Sequence, residues 1–264
     1  MLGVAVQTLE PIAWAEELIE AARAIDHPRL AFLYVIASLC YTTGRIEEAV
    51  RYSEAGQTVL GGSRDGLPSY YIEASLGVAY LATGQPERLA ELCRARLARR
   101  RDTHVYTRSW LVLALTVAGS CGEAMDWADG LIETAEATRN PYVLAWALAV
   151  YGWAFRDADP VGALNALGRG LGIAQASGHR SCASALAEFL AVVEAEHGGT
   201  VSALDHLTLS IRNFHNAGDT TTIRVPLASL AALFDRLGRY EPAATIAGFA
   251  LSPMAAMGSP KSPP

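Results

Sequence analysis

Phosphate loops, Schiff bases and lysine-assisted nucleophiles all need a lysine, and this sequence holds one, Lys261, close to its C-terminus. A phosphate-cradling Gly-x-x-x-x-Gly-Lys-Ser/Thr loop is therefore excluded from the body of the chain. Gly168-Arg-Gly170-Leu-Gly172 approaches a dinucleotide loop, but the third glycine of Gly-x-Gly-x-x-Gly falls on Ile173 and no strand precedes it. It reads instead as small packing positions inside a helix. No Gly-x-Ser-x-Gly elbow and no His-Glu-x-x-His pair occurs. His27, His104, His179, His197, His206 and His215 mostly fall at helix ends or turns, where capping or solvent accounts for them. Cys40, Cys93, Cys121 and Cys182 form no Cys-x-x-Cys pair and read as buried, reduced thiols. The expectation is a chain with no catalytic residues, no metal and no cofactor, and so not an enzyme.

One charged cluster could still bind something. Arg94, Arg96, Arg99, Arg100 and Arg101, with Arg108 nearby, could meet an anion or an acidic partner. The same cations also complement the dipole of a helix C-terminus, the plainer reading. Aromatic residues do not interleave the run, and the net charge is −6, which argues against a nucleic-acid backbone as partner. The apolar, uncharged stretch Asn140 to Phe155 is shorter than the roughly 20 residues that span a bilayer. Met1 to Glu10 lacks the basic segment of a secretory leader. Both readings lead to a cytoplasmic chain with no membrane partner.

The elements that position these residues follow from a repeat. A turn motif ending in a small residue begins at Gly44, Gly84, Gly119, Ala158, Gly198 and Gly238, at spacings of 40, 35, 39, 40 and 40. Longer copies agree. Trp14-Ala-Glu-Glu-Leu-Ile-Glu-Ala-Ala-Arg-Ala leads to Pro28, and Trp127-Ala-Asp-Gly-Leu-Ile-Glu-Thr-Ala-Glu-Ala leads to Pro141. Each repeat holds two helices. Ile46, Ala49, Val50, Ser53, Gly56 and Leu60 follow the spacing of one helical face, as do Trp14, Leu18, Ala21, Ala22 and Ile25. Asn140-Pro141 and Asp159-Pro160 mark helix starts, and Gly178 and Gly218 mark helix ends. The spacing predicts a leading helix near 11–26. First helices are expected near 29–43, 69–83, 104–118, 141–156, 180–197 and 222–237. Second helices are expected near 46–60, 86–100, 122–138, 160–177, 200–217 and 240–250. Residues 61–68 read as a longer loop. The fold class is all-α: a right-handed α-solenoid of about six helix-turn-helix repeats of about 40 residues, one domain over 1–251. Residues 252–264, rich in proline, read as a disordered tail.

This pattern resembles a tetratricopeptide array. Carried onto that pattern, the close-packing position seven before each anchor holds Ala37, Gly77, Val112, Tyr151, Ala191 and Ala231. The position five after holds Ala49, Leu89, Ala124, Ala163, Ala203 and Ala243. Val112, Tyr151 and Leu89 are large for such contacts and predict distortion in the second, third and fourth pairs. The resemblance further implies that Tyr34, Tyr41, Tyr71 and Tyr106 line the concave groove, where aromatic hydroxyls suit a peptide or small ligand. Trp110, Trp146 and Trp153 read as core.

Asp26-His-Pro-Arg-Leu30, Gly44-Arg-Ile-Glu-Glu-Ala49, Arg139-Asn-Pro141 and Gly238-Arg-Tyr-Glu-Pro-Ala-Ala-Thr-Ile-Ala-Gly248 resemble a known regulator class. They are similar to the C-terminal repeat region of actinobacterial LuxR-type and adenylate-cyclase-type ATPase signalling regulators, over about residues 10 to 251. Those regulators keep their functional residues in modules absent here, so none carries over. The resemblance implies a detached or truncated sensor region, a scaffold for a protein or peptide partner, with a nucleotide-binding regulator module among the candidates. The alternative is a small-molecule or peptide sensor with its pocket inside the superhelix.

Overall fold

A computed structural model of the chain describes residues 9–62, 79–99, 105–197, 199–253 and 255. Among the described residues there are 13 α-helices and no strand. Helix α1 (Glu10–Ala24) leads. The first pair is α2 (Leu30–Ser38), prolonged by a 3-10 turn over Leu39–Thr43, with α3 (Ile46–Gly62). Residues 79–82 end the first helix of the second pair, followed by α4 (Pro86–Arg99). The third pair is α5 (Val105–Val117) with α6 (Cys121–Ala128) and α7 (Leu131–Ala137). The fourth is α8 (Pro141–Phe155) and α9 (Pro160–Ala176), and the fifth α10 (Arg180–Glu196) and α11 (Thr200–Asn216). The sixth is α12 (Arg224–Arg236) and α13 (Tyr240–Ala250). Each helix packs chiefly on its chain neighbours, the arrangement of a helical-repeat solenoid.

The sequence signals act as expected at the helix ends. Asn140 Oδ1 accepts the amides of Tyr142 (3.0 Å) and Val143 (3.4 Å). Asp159 Oδ1 accepts the Gly162 amide at 3.0 Å. Both occupy donors that the first helical turn leaves free. Asp159→Ala is expected to lower stability by about 1 kcal/mol, read from the denaturation midpoint, with Asp159→Asn largely restoring it. Between pairs the chain turns through a left-handed residue, Gly178 (φ 74) and Gly218 (φ 69) late in the array and Asp26 (φ 46) and Arg139 (φ 53) earlier.

Small residues set the helix crossings. Ala37, Ala49, Ala124, Ala163 and Ala203 are fully buried. The fourth pair departs from the expected register. Its close-packing residue is Gly152, one position after Tyr151. A Cβ on Gly152 would lie 2.5 Å from Leu167 Cγ and 3.0 Å from the Ala163 carbonyl. Tyr151 is thereby turned aside and stacks on Phe155, centroids 4.4 Å apart. Of Gly168, Gly170 and Gly172, only Gly170 is a packing position, wedged against Leu186, Leu148 and the Ala145 carbonyl. Leu89 is buried within an unbroken α4; the close-packing Gly77 and most of helix 69–83 lie outside the described residues.

The third pair is distorted in a different way. The helix expected over 122–138 breaks at Asp129-Gly130, where Asp129 is extended and Gly130 is left-handed (φ 65). Arg108 of α5 takes up the freed carbonyls: its Nε donates to Trp127 at 2.5 Å and its Nη2 donates to Asp129. Arg108→Met keeps the aliphatic stem but strands both carbonyls. A loss of roughly 1–3 kcal/mol is expected, measured by chemical denaturation.

The leading helix also corrects the sequence reading. α1 buries Ile12, Ala15, Ile19 and Ala22, while Trp14, Leu18 and Ile25 are 59%, 54% and 71% exposed. Both sets have helical spacing; the first meets α2 and the first pair. Arg45 fixes that choice. Its guanidinium bridges Glu16 of α1 (2.8 Å) and pairs with Glu48 of α3.

Candidate functional site

The first helices α5, α8 and α10 form an inner layer buried nearly all round, whereas α9 and α11 keep exposed outer faces. Aromatic rings run across this layer from pair to pair. Tyr106 meets Tyr142 at a centroid distance of 6.0 Å, and Tyr142 meets His179 at 5.2 Å. One turn further on, Trp110 lies 4.9 Å from Trp146. Trp153 stacks on Phe189 at 4.6 Å, and the Arg156 guanidinium covers its ring at 4.1 Å. The indole N–H groups of Trp110 and Trp146 and the Thr107 hydroxyl are buried without a hydrogen-bond partner.

The array closes on itself. The Thr220 amide donates to the Thr42 carbonyl at 2.9 Å, and the Thr221 hydroxyl donates to the Tyr41 carbonyl at 2.5 Å. Ala82 and Val225 pack with Tyr41 and Ile46 in the same contact. Asp219 shapes the donor side, accepting the amides of Thr222 (2.8 Å) and Thr221 (3.3 Å). Burial pushes the Asp219 carboxyl up, and those threonine bonds oppose the shift. Burial of the Tyr41 hydroxyl likewise pushes that phenol well above its ordinary range, and Asp219 adds to the effect. Pro253 lies over Gly84 at this seam, and Ala255 is buried. A small cavity between α10, α11 and α12, beside Ser229 and Arg236, holds about 10 Å³, at the lower limit for one water.

A buried carboxyl ties α10 to α12. Glu188 is 2% exposed and accepts a hydrogen bond from Ser229 at 2.9 Å. Burial pushes it up to about 7, although the Ser229 bond and Arg156 both pull the other way. The sequence gives Glu188 no distinguishing mark, because α10 also carries Glu194 and Glu196 and residue type alone does not separate the buried glutamate from those two.

The four tyrosines separate. Tyr34 is buried between α1 and α3, its hydroxyl 2.5 Å from Arg23 Nη2 and its ring 6.4 Å from Tyr52. Tyr41 belongs to the closing seam and Tyr106 to the inner aromatic row, while Tyr71 lies outside the described residues. Tyr142 escaped the sequence reading and His179 was read only as a helix-end residue, yet the row Tyr106, Tyr142, His179 advances by steps of 36 and 37 residues, within the repeat's own range. The basic run is partly committed. Arg94 grips Glu123 through both carboxylate oxygens (2.8 and 2.7 Å), and Arg108 holds the α6 break. Arg100, Arg101 and His104 lie outside the described residues.

Chemistry at these positions is limited. Cys40, Cys93 and Cys182 are buried, and none of the four cysteines is in a disulfide. Burial pushes Cys40 up to about 11 and Cys182 up to about 12, which disfavours the reactive thiolate. His27 accepts a hydrogen bond from the Arg29 amide, and His206 meets Glu194 at 2.8 Å. Among the described residues no cluster of ligands could hold a metal ion, and no helix is long and apolar enough to cross a membrane.

No family model matches the chain, and no curated protein matches it in sequence. Among solved structures it is similar to a Rap protein complexed with competence and sporulation factor. The TM-score is 0.61 and the identity 14%, over 82% of this chain and 73% of that one. At that identity the likeness speaks to architecture, and it agrees with the helix pairing seen here: the chain has an all-α, tetratricopeptide-like helical-repeat fold.

Proposed function

We propose that this chain is a non-catalytic helical-repeat scaffold or sensor that engages a protein or peptide partner in signalling or transcriptional regulation. The observation that carries the reading is the packed interior of the described first helices. The inner helices pack on one another and the Tyr41–Thr221 seam seals them, so apolar surface for a partner is left mainly outside, at both ends of the array. The similar Rap structure contains a bound factor, which supports a protein or peptide ligand. The resemblance to the repeat region of LuxR-type and adenylate-cyclase-type regulators supports a signalling context. It makes a nucleotide-binding regulator module a candidate partner and a detached sensor region the candidate origin. In this reading the chain acts in the cytoplasm, without cofactor, nucleic acid or membrane.

A second reading places a ligand inside. The unpartnered indole N–H groups of Trp110 and Trp146 and the Thr107 hydroxyl are donors awaiting an acceptor. An acceptor-rich peptide or small molecule that parted the seam would reach them beside Tyr41 and Tyr106. One experiment separates the two. The immobilised full chain is offered the macromolecular and the dialysable fractions of an extract from its source cell. The scaffold reading expects a discrete macromolecule retained near one-to-one, and no melting shift from the dialysable fraction. A shift of several degrees from the dialysable fraction alone would replace it with the pocket reading.

A further inference from the structure

The exposed stripe of α1 has an internal counterpart that shows what covers such a stripe. Trp14 and Leu18 fall on one face of α1 and are 59% and 54% exposed, and Ile25, just past the end of the helix, is 71% exposed. The α1 sequence is repeated 113 residues later, Trp14 matching Trp127, Leu18 matching Leu131 and Glu10 matching Glu123. The match continues through the turn, where Asp26 and Arg139 are both left-handed, and on to Pro28 and Pro141. So α1 is the equivalent of α6 and α7, the second member of a pair. Each copy is followed by its next first helix, α2 in one case and α8 in the other.

The difference lies on the preceding side. In the later copy α5 packs against α6 and α7. Leu131 is fully buried, and Trp127 is packed against the main core. Arginines complete the contact: Arg94 of α4 grips Glu123 at 2.7 Å, and Arg108 of α5 donates to the Trp127 carbonyl. Beside α1 no described helix holds the place of α5, which is why Leu18 is half exposed where Leu131 is buried. The rim of the stripe is acidic, with Glu10 and Glu17 exposed and Glu20 paired to Arg23 at 2.9 Å.

Resting on the interaction reading above, we propose that the Trp14–Leu18 stripe docks an arginine-bearing helical hairpin of a partner protein in the position α4 and α5 hold against α6 and α7. The apolar ridge of its second helix covers Trp14 and Leu18. An arginine on its first helix meets Glu10 as Arg94 of α4 meets Glu123. Aromatic anchors inside an acidic rim suit such a contact, because the buried ring supplies affinity and the rim selects charge.

The probe is a labelled synthetic peptide of residues 86–118 of this chain, which carries both Arg94 and the α5 ridge. It is titrated against the full chain by fluorescence anisotropy. Saturable binding is expected, weakened about tenfold or more by Leu18→Glu or Trp14→Ala, and about threefold by Glu10→Gln. Arg94→Gln in the peptide should reproduce the Glu10→Gln loss without adding to it. These positions on the chain are exposed, so melting temperatures should stay with the parent and exclude misfolding. Absence of saturation, or binding indifferent to Leu18→Glu, overturns the proposal. So does a dimer that Leu18→Glu converts to monomer, since the occupant is then a second copy. Extract retention distinguishes the two levels. A macromolecule still held by the Leu18→Glu chain sinks this site and leaves the scaffold reading intact. Peptide binding with no retained macromolecule does the reverse.

Discussion

Gly152→Val is expected to destabilise the protein by about 3 kcal/mol, at the upper end of the cost of overpacking a close contact. The new Cβ would stand 2.5 Å from Leu167 Cγ and 3.0 Å from the Ala163 carbonyl. Leu167 is fully buried, and the carbonyl belongs to the α9 backbone, so α8 and α9 must move apart. Gly168→Ala is the control. That glycine is exposed in the middle of α9, and an added Cβ meets nothing within 4 Å. Alanine there should stabilise by roughly 0.5–1 kcal/mol through its better helix propensity. Denaturant midpoints for the two variants should move in opposite directions. A Gly152→Val protein that melts with the parent would show that the fourth-pair crossing is wrong.

This crossing marks how far the sequence could be read. Anchor spacing and cap residues located the described helices to within about two residues, because turns and caps are local. The exchange of Tyr151 for Gly152 at the crossing is tertiary, set by how α9 approaches α8. The break at Asp129-Gly130 was not anticipated, since a lone glycine inside a helical pattern is tolerated. It is realised because Arg108, some twenty residues away, satisfies the carbonyls. The face of α1 was misread because two sets of apolar residues share helical spacing, and only Glu16 bound to Arg45 selects between them.

Glu188→Gln is expected to remove much of the loss of stability between mildly acidic and neutral pH. The folded carboxyl titrates near 7 and the unfolded one near 4.5. Between those values the folded state binds a proton that the unfolded state releases, so stability falls as pH rises, and it levels off above 7. The gap corresponds to about 3 kcal/mol. Glutamine keeps an oxygen to accept the Ser229 hydroxyl and carries no charge to desolvate. At pH 5 the variant and parent should match. At pH 8.5 the variant should be more stable by about 3 kcal/mol, a rise on the order of 5–10 °C in melting temperature. Parallel stability profiles across that range would show that Glu188 is not buried as described.

Site legibility followed the same division. Tyr106 was singled out through the tetratricopeptide resemblance alone, and its row with Tyr142 and His179 emerges only from the structure. Tyr34 shares the residue type but faces α1, and Tyr41 is drawn into a contact with residues about 180 positions later, a distance at which periodicity carries no information. The seam itself has no sequence signature, since its bonds run from the Thr220 amide and the Thr221 hydroxyl to backbone carbonyls.

Amide hydrogen exchange at Thr220 tests the closed array most directly. Its N–H is bonded to the Thr42 carbonyl 178 residues away and to nothing within its own turn. Closure predicts that this amide exchanges far more slowly than a free turn amide, and that Thr42→Pro or any variant displacing the first pair releases it while α8 and α10 stay protected. Exchange at the rate of an unstructured peptide in the parent protein would contradict closure and leave the inner helices facing an open groove.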